Sequence, residues 1–265
     1  MSGGSPNQNI VKREEWETVW EEKKDVEHVY SNAGRVLKNL SLVTSLKGKK
    51  ILEIGAGTGR DSFAMIRVGA TIYQLDYAEN SLRILQSIAA EQKVEVEIIG
   101  GDAFNLPFRD ECFDIVFHQG LLEHFHKTQA DALLRENIRV IKPGGYLLVD
   151  VPQRVHPYAL TKFFLIAVGK WFVEWERSFS VPELKKLFRM QGLEPVHCYG
   201  EWMYPSFYYR VLREVGKKVG IQLPLYPRPF PRLTDIRLKI RSVLHKTIMP
   251  RYTGMDIGVI GKKKA

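Results

Sequence analysis

From Lys49 to Val151, short β-rich runs alternate with longer amphipathic stretches, and this alternation limits the fold more than any other feature. The candidate strands are 49–54 (KKILEI), 71–76 (TIYQLD), 94–100 (VEVEIIG), 113–118 (FDIVFH) and 145–151 (GYLLVDV). They read as nearly continuous apolar runs, the pattern of strands covered on both faces. Between them, Leu82, Leu85 and Ile88 share one face of a helix near 80–92, and Leu134, Ile138 and Ile141 do so near 128–141. Strands separated by helices of this length predict crossover units in a parallel sheet. Lys142-Pro143-Gly144-Gly145 reads as a helix stop and a turn into the fifth strand.

The flanks are less regular. Residues 10–46 read as one or two helices carrying Trp16, Trp20 and Tyr30, a helical cap over 1–46 ahead of a domain at 47–265. Ser180 to Gly192 is a helix with Ser180 as N-cap and Pro182 in its first turn. Strands follow at 193–199 and 255–261. Two insertions, at about 155–178 and 202–251, carry Trp171, Phe172, Trp175, Trp202, Tyr204, Phe207, Tyr208 and Tyr209. The longest apolar run, 159–173, is interrupted by Lys162, Gly169 and Lys170 and falls short of the roughly 18 to 20 residues of a membrane span. No secretory signal is visible, and Cys112 and Cys198 cannot build a disulfide framework, so a cytoplasmic location is expected.

Charge divides the chain. Residues 151–265 hold 21 basic and 8 acidic side chains, whereas 1–150 hold 18 and 22. A basic half of this kind suits an anionic partner or a solvated face.

At the end of the first strand stands Glu53-Ile54-Gly55-Ala56-Gly57-Thr58-Gly59. Glycines there let the backbone turn sharply and let a ligand approach closely. A dinucleotide fingerprint needs a glycine at 60, where this chain has Arg60, and the phosphate-binding G-x-x-x-x-G-K-[ST] loop is missing. Asp76 closes the second strand, where an acid can accept both hydroxyls of a ribose. Asp102 follows the third strand, placed to accept from an adenine amino group. The fourth strand ends at His118-Gln119-Gly120, and Glu123-His124 follows.

In this order and spacing, Glu53 to Gly59, Asp76, Asp102 and FDIVFHQGLLEHF (113–125) resemble the class I S-adenosylmethionine-dependent methyltransferases of small-molecule type, the type 11-like group. The resemblance covers about 48–152. It implies an α/β, Rossmann-like fold: a seven-stranded, mostly parallel sheet with helices on both faces and a last antiparallel strand. It implies S-adenosylmethionine as cofactor and S-adenosylhomocysteine as product, with contacts from Glu53, Gly55, Ala56, Gly57, Gly59, Asp76, Tyr77, Asp102, Ala103, His118 and Gln119. It also implies insertions that build the acceptor pocket with aromatic walls. Some quinone-biosynthesis members hold a divalent metal with a further acid three residues before a Glu-His pair. Here that position is Gly120, and no metal is expected. His124 is the candidate general base, or the residue that orients the acceptor.

The expected activity is in-line methyl transfer to a small or lipid-like acceptor, anionic or lipid-attached, with peripheral membrane contact as a corollary. Ile236, Ile240, Val243 and Leu244 form an apolar stripe beside Arg237, Lys239, Arg241 and Lys246 if 236–246 is helical. The six residues 236–241 alternate equally well as a strand. Two alternatives stay open: an RNA methyltransferase, and a cofactor-binding interaction protein without activity. Base-amino methylation is disfavoured, because His118-Gln119-Gly120-Leu121 replaces the Asn/Asp-Pro-Pro-Tyr/Phe tetrapeptide used for it. The acceptor atom and the oligomeric state stay undetermined at this level.

Overall fold

A computed structural model describes residues 13–22, 34–169, 176–227 and 230–265. Tyr30, Trp171, Phe172 and Trp175 lie outside them. Seven strands form one sheet: β1 (Lys50–Ile54), β2 (Thr71–Asp76), β3 (Glu97–Gly100), β4 (Phe113–Gln119), β5 (Ile141–Pro152), β6 (Leu193–Glu201) and β7 (Asp256–Lys263). Their order is β3-β2-β1-β4-β5-β7-β6. The first five are mutually parallel, and β7 runs antiparallel between β5 and β6.

Helices cover both faces. On one, α5 (Lys127–Arg139) and α7 (Val181–Met190) pack Leu133, Leu134, Leu184 and Phe188 against Leu52, Val116 and Val149. On the other, α2 (Arg35–Ser41) and α3 (Arg60–Ile66) bring Val36, Leu40 and Met65 to Ile51, Ile115 and Leu148. Each such side chain, fully buried, contributes about 1.5–3 kcal/mol. α4 (Glu79–Gln92) completes the β2–β3 crossover around Leu85.

Three sequence expectations shift. β3 is shorter than 94–100, because an edge strand pairs only with β2, and that ladder begins at Tyr73 opposite Glu97. Ile141 leaves α5 and pairs with Phe113, so 142–145 is a bulge inside β5 rather than a turn ahead of it; pairing resumes at Ile115 opposite Tyr146. The ambiguous segment 236–241 lies within a helix, α9 (Pro231–Leu244). Among the described residues the remaining helices are α1 (Arg13–Glu22), α6 (Pro157–Ala167), α8 (Phe207–Lys218) and α10 (Pro250–Thr253).

α9 also inverts the usual arrangement. Its polar residues hold it to the domain: Arg241 donates to Glu201 at 3.3 Å and to the Trp202 carbonyl, and His245 meets Glu201 at 2.7 Å. Leu233, Ile236, Ile240 and Val243 are left exposed.

Candidate functional site

A cavity of about 350 Å³ opens at the carboxyl ends of β1, β2, β4 and β5, where ligands of open parallel sheets bind. That volume lies at the lower end of the range for small-ligand pockets.

Its floor is the turn after β1. Gly55 and Gly57 both adopt left-handed backbone, with φ of 63° and 56°, and line the cavity with Ala56. A side chain at Gly57 would begin 2.6 Å from the ring of Trp20. Gly59 does different work. It starts α3, and a Cβ there would strike Leu85 at 2.7 Å and Phe63 at 2.9 Å, so it serves helix packing and stands back from the cavity wall.

The acids at the strand ends are tied into this turn. Asp76 is buried, accepting the Gly57 N–H at 2.8 Å and the Ala78 N–H at 3.0 Å. Burial raises its pKa against those hydrogen bonds. Glu53 accepts a short hydrogen bond from Ser62, whose hydroxyl in turn accepts from Gln74 at 2.8 Å. Burial pushes the Glu53 carboxyl up to about 8. Asp102 is exposed on the rim, its Oδ1 accepting the Phe104 N–H at 2.9 Å, and Tyr77 and Ala103 flank the same end of the cavity. Gln119 lines the wall and donates to Asp61 at 3.0 Å.

His118, whose backbone rather than ring is the expected contact, is not among the residues of the cavity wall. Its ring is fully buried, outside the cavity wall, and burial pushes its pKa down to about 3, which leaves it a neutral core imidazole. His124 does reach the wall. It sits in the single 3₁₀ turn Leu122–His124, buried, with its ring edge-on to Trp16 at 5.1 Å between centroids.

Several wall residues were not singled out from the sequence. Trp16 and Trp20 roof the cavity from α1, whose Glu17 carboxylate accepts the backbone N–H groups of Glu79 and Asn80 at 2.6 and 3.0 Å. That contact caps α4 with a negative charge, which favours its N-terminus. The i, i+4 spacing of the tryptophans is the signal for one shared helix face. Arg35 reaches the opposite end, donating to Asp150 through Nε at 2.9 Å and Nη2 at 2.7 Å. Tyr158, Glu176 and Asp256 close that side, and burial raises Asp256 to about 7.

The late aromatics do not form the expected pocket wall. Trp202 bonds Thr253, Tyr204 stacks on Tyr226 and Tyr209 bonds the Pro224 carbonyl, so these rings knit the C-terminal insertion together. From that insertion Met203 lines the cavity.

The family model described as "Methyltransferase domain" matches residues 52–149. The ubiquinone biosynthesis O-methyltransferase of Ruegeria pomeroyi is 30% identical over 171 residues, which cover 62% of this chain and 67% of the relative. The demethylmenaquinone methyltransferase of Staphylococcus aureus (strain JH9) is 34% identical over 182 residues, covering 60% and 72%. In fold, the chain is similar to the 1,6-didemethyltoxoflavin-N1-methyltransferase of Burkholderia thailandensis, with a TM-score of 0.63 at 16% identity, over 100% of this chain and 93% of that one.

Proposed function

The chain belongs to the S-adenosylmethionine-dependent methyltransferases, and on that premise we propose that it methylates a hydroxyl on a small, lipid-attached acceptor ring of quinone type. The cofactor fits the residues present. A buried acid stands at the end of β2, two left-handed glycines line the floor, and the exposed Asp102 stands at the rim. Gly55, Ala56 and Gly57 would hold its amino-acid part with Glu53 and Gln119, and Asp76 its ribose. Tyr77, Asp102 and Ala103 would hold its base. When bound, its sulfonium supplies an electrophilic methyl group. The protein's own part is to align the acceptor and exclude water. Trp16 and Trp20 provide the exclusion.

The observation that carries the acceptor reading is the exposed apolar surface with basic flanks outside the cavity. The cavity wall holds Asp61, Glu123, Asp150, Glu176 and Asp256 together with Arg35 and Arg60, a set rich in hydrogen-bonding groups. Tyr158 of α6 borders the cavity, while Leu160 and Phe164 of the same helix are exposed at 75% and 66%. The apolar stripe of α9, flanked by Arg232, Arg237, Lys239 and Lys246, likewise suits the surface of an anionic membrane. No helix among the described residues is long and apolar enough to cross a bilayer. Basic residues near such a surface contribute about 1 kcal/mol each. Flotation with anionic vesicles at low salt should carry the protein upward, and added salt should weaken this. Equal recovery with neutral and anionic vesicles would remove the membrane from the proposal.

His124, between Trp16 and the cavity, orients the acceptor in this reading. His124→Ala is expected to lower turnover about 10²-fold, the cost of misplacing a reacting group by about 1 Å. Cofactor affinity should stay within about twofold. Full turnover in the variant would reduce the histidine to a packing role.

A further inference from the structure

Beyond the cofactor contacts, the cavity wall carries an acid that has no ion pair among the described residues. Three buried acids lie close together there: Glu123, Asp150 and Glu176. Asp150 has a bidentate arginine, Arg35, and accepts the Tyr199 hydroxyl at 2.6 Å. Glu176 has Lys162, fully buried, at 2.7 Å. An ammonium has three protons to give. Those of Lys162 go to Glu176, to the Ser178 hydroxyl at 2.7 Å and to the Arg177 carbonyl at 3.2 Å, so none is left for Glu123.

Glu123 itself is 2% exposed, and its Oε2 has no hydrogen-bond partner among the described residues. Its Oε1 lies 3.6 Å from where a side chain at Gly120 would begin, just past the carboxyl end of β4. Among the described residues the charged and titratable neighbours are Glu176, Asp150, Tyr158 and Lys162, and Lys162 directs its hydrogen bonds to other groups. A carboxyl so placed is costly to ionise. Burial first, then the charge of Glu176, pushes it well above the ordinary glutamate range.

We propose that Glu123 is the proton acceptor for the methylated hydroxyl, neutral in the empty site and ionised only when a cation enters the cavity. This inference rests on the cofactor reading above. The cation is the sulfonium of the methyl donor, and the demethylated product has no such charge. The step balances. The acceptor O–H bond breaks and its proton passes to the Glu123 carboxylate. The oxygen pair forms the new carbon–oxygen bond, and the carbon–sulfur pair stays on sulfur as a neutral thioether. One negative and one positive charge vanish together, which favours the step in a site shielded from water. The base is therefore present only while there is a methyl group to transfer.

Calorimetric titration in two buffers of different ionisation enthalpy tests this without turnover. Near pH 6, above the ordinary glutamate value of about 4.3, S-adenosylmethionine should release close to one proton more than S-adenosylhomocysteine does. Glu123→Gln should abolish that difference and reduce turnover by about 10²-fold or more. Equal proton release by the two ligands in the wild-type protein would overturn the inference and leave the cofactor reading intact. So would a difference that persists in Glu123→Gln. Failure of both ligands to bind would overturn the cofactor reading and this inference with it.

Discussion

Arg35→Met is expected to cost about 3–5 kcal/mol of stability, the loss typical of removing one partner from a buried ion pair. The fork of Arg35 closes on Asp150 with two hydrogen bonds and approaches Asp256 at 3.7 Å. The Asp150 side chain is 1% exposed. Without the arginine it keeps the Tyr199 hydroxyl, a dipole in place of a charge. For a chain of this size the melting temperature should fall by roughly 10 °C, at about 2–4 °C per kcal/mol. A denaturant titration should show a lower midpoint at unchanged slope. Adding Asp150→Asn should restore part of the loss, because the stranded charge is then gone. A shift below about 1 kcal/mol in the single variant would show that the pair is solvated and that α2 is held by its apolar contacts alone.

Asp76→Ala should weaken S-adenosylmethionine binding by roughly ten- to a hundredfold. A hydrogen bond to a charged group contributes about 1.5–3 kcal/mol, and about 1.4 kcal/mol is a factor of ten. The upper part of that range is the expectation, because Asp76 also fixes Gly57 and Ala78 through their N–H groups. Its removal frees the floor of the cavity as well as the ribose site. Asp76→Asn keeps one acceptor oxygen and should fall in between. The fold should survive, since the strand's apolar residues Ile72 and Leu75 still pack. Unchanged affinity in a folded Ala variant, measured by calorimetry, would place the ribose elsewhere.

The central strands were legible because both of their faces are buried. An apolar run such as Ile115-Val116-Phe117 has few other places to go. The glycine turn was legible too, since its spacing separates it from the dinucleotide and P-loop forms. What stayed hidden depends on distance along the chain. Arg35 and Asp150 are 115 residues apart, and Glu17 reaches a helix start 62 residues on. Neither pairing leaves a local pattern. At His118 the burial of the strand was legible, and its ring lies in the core. In 236–241 six residues fit a period of two and a period of 3.6 alike. The choice fell to the polar side, through Arg241 and His245 bonding Glu201.

Competitive calorimetry bears most directly on the cavity as a methyl-donor site rather than a dinucleotide site. S-adenosylmethionine and S-adenosylhomocysteine should each bind, displace one another, and be undisturbed by excess NAD, because Arg60 stands where a dinucleotide turn needs glycine. NAD binding more tightly than S-adenosylmethionine, or displacing it, would contradict the account.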